Sequence, residues 1–384
     1  MIRNNRWTTG LALLALAGMT AFVPGPARAA DEIVVGATVP VTGPLAASGL
    51  QYYDALQMAR DDINAAGGIN GKKLRIVFED TQASNSVAVN AFIKLAKEEN
   101  PPFIFLSSYT VQNLAVEPQV AKAKIPVVYA GGAVAVADRK DPWMFRIRPP
   151  DNLGAESMAA AIVSYIKVKK VGIIHVADDY GTASSKTAAA AIEKAGITVV
   201  GNESYNIRDN DFSPQLLNLK NKGAELLIIY GYVRDGALVL TQKRTLGLDM
   251  PVLGNSSFII ASLLDLVTPA DTHNLYAIGD AFLGATISPR SADYVKRYTA
   301  RFKMYPDPFG SCYYDAAMIL ADALRKFGPD REKIRDYFAH IKDYQGVTRT
   351  YTTDARGDMA HSVTLVKFTE GTKKFTLLDR YPAK

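Results

Sequence analysis

The side chains that could do chemistry in this chain collect in short loops that follow β-branched runs. These loops are Val41-Thr42-Gly43-Pro44, Ser107-Ser108-Tyr109-Thr110, Ala130-Gly131-Gly132, Asp178-Asp179-Tyr180-Gly181, Gly231-Tyr232 and Asn255-Ser256-Ser257. Hydroxyls and glycine amides can hydrogen-bond a small polar solute, and tyrosines offer flat apolar walls with a polar tip. That is binding chemistry, because no loop sets a nucleophile beside a general base. Each feature also has a purely structural use. Ser107, Ser108 and Thr110 can cap a helix, whose free N-terminal amides are themselves a carboxylate seat. Tyr180 and Tyr232 can close the edge of a core, and Gly131 with Gly132 can simply turn the chain.

Catalytic and metal constellations are missing. His175, His273, His340 and His361 are scattered without metal-ligand spacing, and there is no HExxH, GxSxG or GxxxxGK[ST] motif, nor GxGxxG after the first strand. His175 ends an apolar run and reads as a core or rim residue. Asp178 and Asp179 are adjacent, so their carboxylates diverge and make a poor acid–base dyad; a solvated strand end is the expectation. No catalytic residue, metal or cofactor is expected.

The elements that must position these loops alternate between two periods. Residues 33–40 and 73–80 read as strands, and between them Tyr52, Leu56, Ala59 and Ile63 recur on one helical face. A strand, helix and strand in that order make a βαβ unit and so a parallel sheet. The helix closes on Ala66-Gly67-Gly68, where a left-handed cap needs glycine, and a turn follows at Asn70-Gly71. The alternation continues through helix 87–97, strand 103–106, a helix to residue 123 and strand 126–129. The segment 141–150 then ends in Pro149-Pro150 and reads as an extended crossover. A second series follows, with helices at 155–166, 183–195, 213–222 and 235–246 and strands at 170–177, 197–200, 226–230 and 251–253. Residues 276–282 are extended, helices are expected at 291–302, 313–326 and 331–340, and strands at 362–368 and 374–378 flank a turn at Gly371. Two α/β series of similar size look like two copies of one open doubly wound architecture, whose ligands bind beyond the carboxyl ends of the strands.

Composition bounds the rest. The chain has 384 residues, 48% apolar and 21% charged, which suits two ordinary globular domains. Arg3 and Arg6, an apolar run over 10–23 and Ala27-Arg28-Ala29 make residues 1–29 a cleavable export signal. The run is shorter than the roughly 20 residues that span a bilayer. Removing it lowers Lys plus Arg from 44 to 41 against 38 acids, too balanced for a nucleic-acid partner. One cysteine, Cys312, cannot form an internal disulfide and reads as inert core.

The chain resembles the periplasmic substrate-binding proteins of ABC importers, in the branch of the leucine/isoleucine/valine-binding protein. The resemblance rests on Gly36-Ala37, Thr42-Gly43-Pro44, Asp62-Ile63-Asn64 with Ala66-Gly67-Gly68-Ile69-Asn70-Gly71 and Leu74, Asp80, Ile125-Pro126-Val127-Val128, Asp179-Tyr180-Gly181, Asp211-Phe212-Ser213 and Asp354-Ala355-Arg356-Gly357-Asp358. It covers essentially the whole mature chain. It implies an α/β protein of two doubly wound parallel-sheet lobes, 31–148 plus 280–355 and 149–279 plus 356–384, joined by a three-crossover hinge. A ligand would be trapped as the lobes close and be delivered to a membrane permease.

Carried over residue by residue, the family's carboxylate loop falls on Ser107, Ser108 and Tyr109, and its covering tyrosines on Tyr180 and Tyr232. Thr110, Ala130, Gly131 and Gly132 complete the expected ligand contacts. The threonine that holds both ends of an amino acid falls at Ala133 and has lost its hydroxyl. The glutamate that pairs with the ammonium falls at Ser256 and has lost its charge. An ammonium buried without a partner costs several kcal/mol. The expected ligand is therefore a small carboxylate without the amine, an aromatic or branched organic acid walled by Tyr109, Tyr180, Tyr232 and Phe258. An amino-acid binder, a ligand sensor on the same fold, and an exported enzyme using Asp179 or His175 are the alternatives.

Overall fold

The apolar-rich run Glu32–Val39 (β1) and Lys73–Asp80 (β2) pair in parallel, Glu32 opposite Lys73 through Val39 opposite Asp80. The computed structural model describes residues 32–284, 287–372 and 374–382, so the export signal expected over 1–29 lies outside the described residues. Between β1 and β2 runs α1 (Ala46–Ala65), which buries Tyr52, Leu56, Ala59 and Ile63 on one stripe. Gly68 ends the connection with φ 74°, and a Cβ there would lie 2.1 Å from the Lys72 carbonyl oxygen. Glycine is required on both counts.

The first series continues with α2 (Asn85–Glu98), β3 (Ile104–Phe105), α3 (Thr110–Ala123), β4 (Val127–Tyr129), α4 (Val134–Asp138) and β5 (Met144–Arg146). Its five strands are all parallel, in the order β2-β1-β3-β4-β5. The segment expected only to cross over thus first adds an edge strand, because Met144 to Arg146 pair with Val127 to Tyr129.

The second series comprises α5 (Asp151–Ala161), β6 (Lys170–Val176), α6 (Asp179–Lys194), β7 (Thr198–Tyr205), α7 (Ser213–Asn221), β8 (Leu226–Tyr230), α8 (Val233–Thr245), β9 (Val252–Gly254), α9 (Ala261–Leu266) and β10 (Leu275–Gly279). Helix α5 starts earlier than the apolar spacing predicts, since Pro150 sits at its N-cap and Asp151 in its first turn. Prolines and acids favour a helix start without adding to an apolar stripe.

The chain then returns to the first layer with α10 (Pro289–Phe302), α11 (Pro308–Phe327) and α12 (Arg331–Ala339), and α11 packs along α1. After the small hairpin β11 (Tyr344–Gln345) and β12 (Thr350–Tyr351), β13 (Ser362–Phe368) and β14 (Phe375–Pro382) complete the second sheet. Its order is β14-β13-β10-β9-β8-β6-β7. The five strands β7-β6-β8-β9-β10 are parallel and repeat the winding of the first sheet. The two doubly wound parallel sheets are as expected, and β13 and β14 extend the second one as an antiparallel edge. A short turn through Gly371, φ 69°, can only link antiparallel neighbours.

Three crossovers join the layers, and buried arginines tie them together. Arg146 Nε donates to Asp358 Oδ1 at 2.7 Å, linking the first crossover to the third. Arg148 Nη2 donates to Asp280 Oδ1 at 3.0 Å, linking the first to the second. Cys312 is buried in α11 against the Phe309 carbonyl, and burial pushes its thiol pKa up, which keeps it protonated and unreactive. No helix among the described residues is long and apolar enough to cross a membrane.

Candidate functional site

In both sheets the winding direction reverses beside the first strand of the series, β1 against β3 and β6 against β8. The carboxyl ends of these strands face one another across a cleft lined by Ser48, Tyr52, Ser108, Tyr109, Thr110, Arg148, Tyr180, Tyr232, Ser257 and Phe309. This is the crevice that doubly wound sheets use for ligands.

The first wall is the Ser107 to Thr110 loop, held from behind by two tyrosines. Tyr52 on α1 shares a 2.5 Å hydrogen bond with the Ser108 hydroxyl, and Tyr313 on α11 donates to the Leu106 carbonyl at 2.5 Å. Thr110 opens α3 and accepts from the Ala133 amide at 3.3 Å.

The opposite wall is aromatic. Tyr180 and Tyr232 stack with ring centroids 5.5 Å apart, and Tyr109 meets Tyr232 edge-on at 5.5 Å. Tyr232 donates to Asp178 Oδ2 at 2.8 Å, while Asp178 Oδ1 caps α6 by accepting from the Gly181 amide at 2.8 Å. Asp178 is therefore a capping residue that orients Tyr232, rather than a solvated strand end. Asn255 Nδ2 donates to the Tyr180 hydroxyl at 2.5 Å. Burial raises the pKa of both Tyr180 and Tyr232 well above the ordinary tyrosine value, so both stay neutral donors. With the rings so placed, the free volume is about 30 Å³, room for little more than a water molecule. A solute of amino-acid size enters only if the walls part.

The floor carries the charge. Arg148 Nε lies 2.6 Å from Asp280 Oδ2, and its Nη2 donates to Asp280 Oδ1 at 3.0 Å and to Asp151 Oδ1 at 3.3 Å. Its guanidinium also lies 5.2 Å from the centre of the Phe309 ring. Burial alone would lower the arginine pKa, but the Asp280 and Asp151 carboxylates reverse that and hold it above the ordinary value. Both carboxylates are further engaged, Asp280 by the Ser256 hydroxyl and Asp151 by the Ser184 hydroxyl at 2.5 Å. Nη1 of Arg148 forms no hydrogen bond among the described residues and lies against Gly132, while the residue as a whole lines the cleft.

Of the residues singled out from the sequence, the structure gathers Ser108, Tyr109, Thr110, Tyr180 and Tyr232 around this cleft. It does not bring the others to the lining. Ser107 turns inward and donates to Gln112 Oε1 at 2.6 Å. Ala130 is fully buried at the end of β4. Gly131 and Gly132 pack closely against protein on the side where a Cβ would stand. A Cβ on Gly131 would lie 2.3 Å from Asn113 Oδ1, and one on Gly132 would lie 2.1 Å from Asp151 Oδ1. The Gly132 carbonyl accepts from Arg146 Nη1 at 2.6 Å. Ser256 points to the hinge, where it binds Asp280 and lines a neighbouring hollow; the next residue, Ser257, lines the cleft. His175 is buried with Nδ1 2.9 Å from the Val176 carbonyl oxygen. Phe258, expected as a wall, is fully buried and lies under Gly236 and Gly254.

Sequence reasoning missed Ser48, Tyr52, Phe309 and, above all, Arg148, and within the Asn255-Ser256-Ser257 loop it favoured Ser256 over Ser257. The available signal was Arg146-Ile147-Arg148 itself, two cations at strand period within an apolar segment running into two prolines. No cluster of three or more metal-ligating side chains occurs among the described residues.

The family described as periplasmic binding protein matches residues 32–373. The chain is 31% identical over 247 residues to the Leu/Ile/Val-binding protein homolog 3 of Brucella melitensis, a match spanning 64% of this chain and 66% of that protein. It is 24% identical over 349 residues to the leucine-, isoleucine-, valine-, threonine-, and alanine-binding protein of Pseudomonas aeruginosa, over 91% of both chains. The crystal structure of the leucine-binding protein LivK from Thermotoga maritima superposes with a TM-score of 0.84 at 22% identity, covering 91% of this chain and 99% of that one. LivJ from Streptococcus pneumoniae, solved in complex with isoleucine, superposes with a TM-score of 0.83 at 22% identity, covering 91% of this chain and 99% of that one.

Proposed function

Because the chain belongs to the periplasmic binding protein family, we propose that it is the solute-binding component of an ABC-type importer, exported by its residues 1–29 and capturing a small carboxylate for a membrane permease. The moving bodies are 31–148 with 280–355, and 149–279 with 356–384. They close over the solute by a hinge motion at the three crossovers.

The observation that carries the ligand class is Arg148. The charged group in the cleft lining is a guanidinium, set among the hydroxyls of Ser48, Ser108, Thr110 and Ser257. A planar guanidinium and short hydroxyls suit a carboxylate, and the tyrosines suit a branched or aromatic body. The nearby carboxylates of Asp151 and Asp280 already serve Arg148, so an α-ammonium group competes with Arg148 for them. Groups of this kind bind and orient; with no nucleophile and base among them, the proposal is a carrier rather than an enzyme.

A second reading keeps the amine. The relatives named above are called leucine-, isoleucine- and valine-binding proteins, and an entering ammonium could draw Asp280 or Asp151 away from Arg148. Mass spectrometry of the small molecule released on gentle denaturation of the purified protein separates the two. A branched or aromatic organic acid is expected, and recovery of leucine, isoleucine or valine overturns the amine-free reading.

A further inference from the structure

A second space beside the hinge is larger than the cleft. A cavity of about 370 Å³ lies where the second and third crossovers run together, lined in part by Ser288, Thr348, Arg349, Thr364 and Arg380. Arg349 is only 9% exposed. Its Nη1 donates to the Ser362 carbonyl at 2.9 Å and its Nη2 to the Asp280 carbonyl, while Nε is buried without a partner. Neither Arg349 nor Arg380 forms an ion pair among the described residues. The acids nearby are already committed. The Asp280 carboxylate serves Arg148 and Ser256. The Asp315 carboxylate accepts from the Val347 amide at 2.6 Å, the Thr348 amide at 3.0 Å and the Tyr351 hydroxyl at 2.9 Å.

A buried guanidinium without a counter-charge costs several kcal/mol, and here it borders a polar cavity with a second unpaired guanidinium on its rim. We propose that this cavity is a binding site for a small, multiply charged oxyanion of the phosphate or polycarboxylate kind, held between Arg349 and Arg380. Planar guanidinium forks pair with two oxygens at once. Thr348, Thr364 and Ser288 also line this space, but their side chains are engaged within the protein, Thr348 donating to Asp315 Oδ2, Thr364 to the Gly279 carbonyl, and Ser288 accepting from the Ser291 amide, so the two guanidinium groups carry the site. Two guanidinium groups repel an ammonium, which excludes a second copy of an amino-acid ligand.

The site also bridges elements that the hinge separates. Arg349 sits on the loop between β11 and β12, which the Asp315 bonds fasten to α11. Arg380 sits on β14 of the second sheet, opposite Thr364. An anion held by both arginines stabilises one angle between the layers, so its affinity and that of the cleft solute are linked reciprocally.

Calorimetric titration of the protein with sodium phosphate and, separately, with sodium citrate at constant ionic strength tests the proposal and distinguishes the two anion types. One saturable site is expected for at least one of them, weakened about tenfold or more in Arg380→Gln and in Arg349→Gln. Arg380 is exposed and outside both the cleft and the core, so its variant reads the site even if the Arg349 variant folds poorly. Absence of saturable binding for both anions, or binding that Arg380→Gln leaves unchanged, overturns the proposal.

Discussion

Replacing Arg148 with glutamine removes the cation from the cleft floor and strands two carboxylates that were facing it. The two consequences differ in size and can be separated. Arg148 and Asp280 are both buried and bonded through two contacts of 2.6 and 3.0 Å, and breaking a buried pair by deleting one partner costs about 3 to 5 kcal/mol. With an unfolding entropy of about 2.1 cal/mol/K per residue, a chain of this length shifts by about 1.3 °C per kcal/mol, so the melting temperature of Arg148→Gln should fall by about 4 to 6 °C. The ligand loses a charge-assisted hydrogen bond worth about 1.5 to 3 kcal/mol, or roughly a tenfold to 150-fold loss of affinity. Adding Asp280→Asn removes one of the two stranded charges and leaves Asp151, so the double variant should regain part of the stability but none of the affinity. The assay is calorimetry with 4-methyl-2-oxopentanoate against leucine and phenylpyruvate against phenylalanine, each pair differing only at the oxo or amino group, with melting curves run in parallel. The oxo acids should bind the unaltered protein better than their amino acids. If the double variant binds the oxo acids as tightly as the unaltered protein does, Arg148 does not hold the carboxylate. If leucine or phenylalanine binds the unaltered protein more tightly than its oxo acid, the amine is recognised after all.

Burial raises the carboxyl pKa of Asp307 to about 7 and those of Asp235 and Asp54 to about 6. Each binds its proton more tightly when folded, so this stabilisation is full below the unfolded value of about 3.9 and is lost as pH rises through 6 to 7. The melting temperature should therefore fall between pH 5 and pH 8, and Asp307→Asn, which keeps the cap on α11 at the Gly310 amide, should flatten that slope in thermal scans across the range. Ser256→Glu sets a third carboxylate beside Asp280 and competes for Arg148. It should lower both melting temperature and oxo-acid affinity without creating leucine binding, and a variant that gains tight leucine binding in calorimetry would show that position 256 reaches the ligand. Saturating ligand should reduce the radius of gyration in solution scattering, whereas an unchanged radius counts against hinge closure.

Local pattern made most of the architecture readable. The stripe Tyr52, Leu56, Ala59 and Ile63 and the short β-branched runs of β1 and β2 are fixed by which residues must leave water, and they appear in the structure as one βαβ unit. Helix starts were less legible. Residues 151–154, 179–182 and 308–312 are helical, yet they open with Asp, Asp and Pro, because a first turn is chosen for capping and charge rather than for an apolar face. The antiparallel entry of β13 and β14 was open too, since a hairpin at the end of the chain can join a sheet edge in either sense.

The same division runs through the site. By itself the sequence determined that hydroxyls and tyrosines follow the strands, for that is a property of neighbours along the chain. Only the tertiary structure decided which way each of them faces. Ser107 and Ser108 are adjacent, but one turns to Gln112 in the core and the other to the cleft, and Ser256 and Ser257 divide in the same way between hinge and cleft. The charge of the floor was equally beyond local reading. Arg148 meets Asp280 across 132 residues, and that meeting exists only because two crossovers run side by side. Buried charges must find partners wherever the fold brings them, and no periodicity in the chain records a partner so distant.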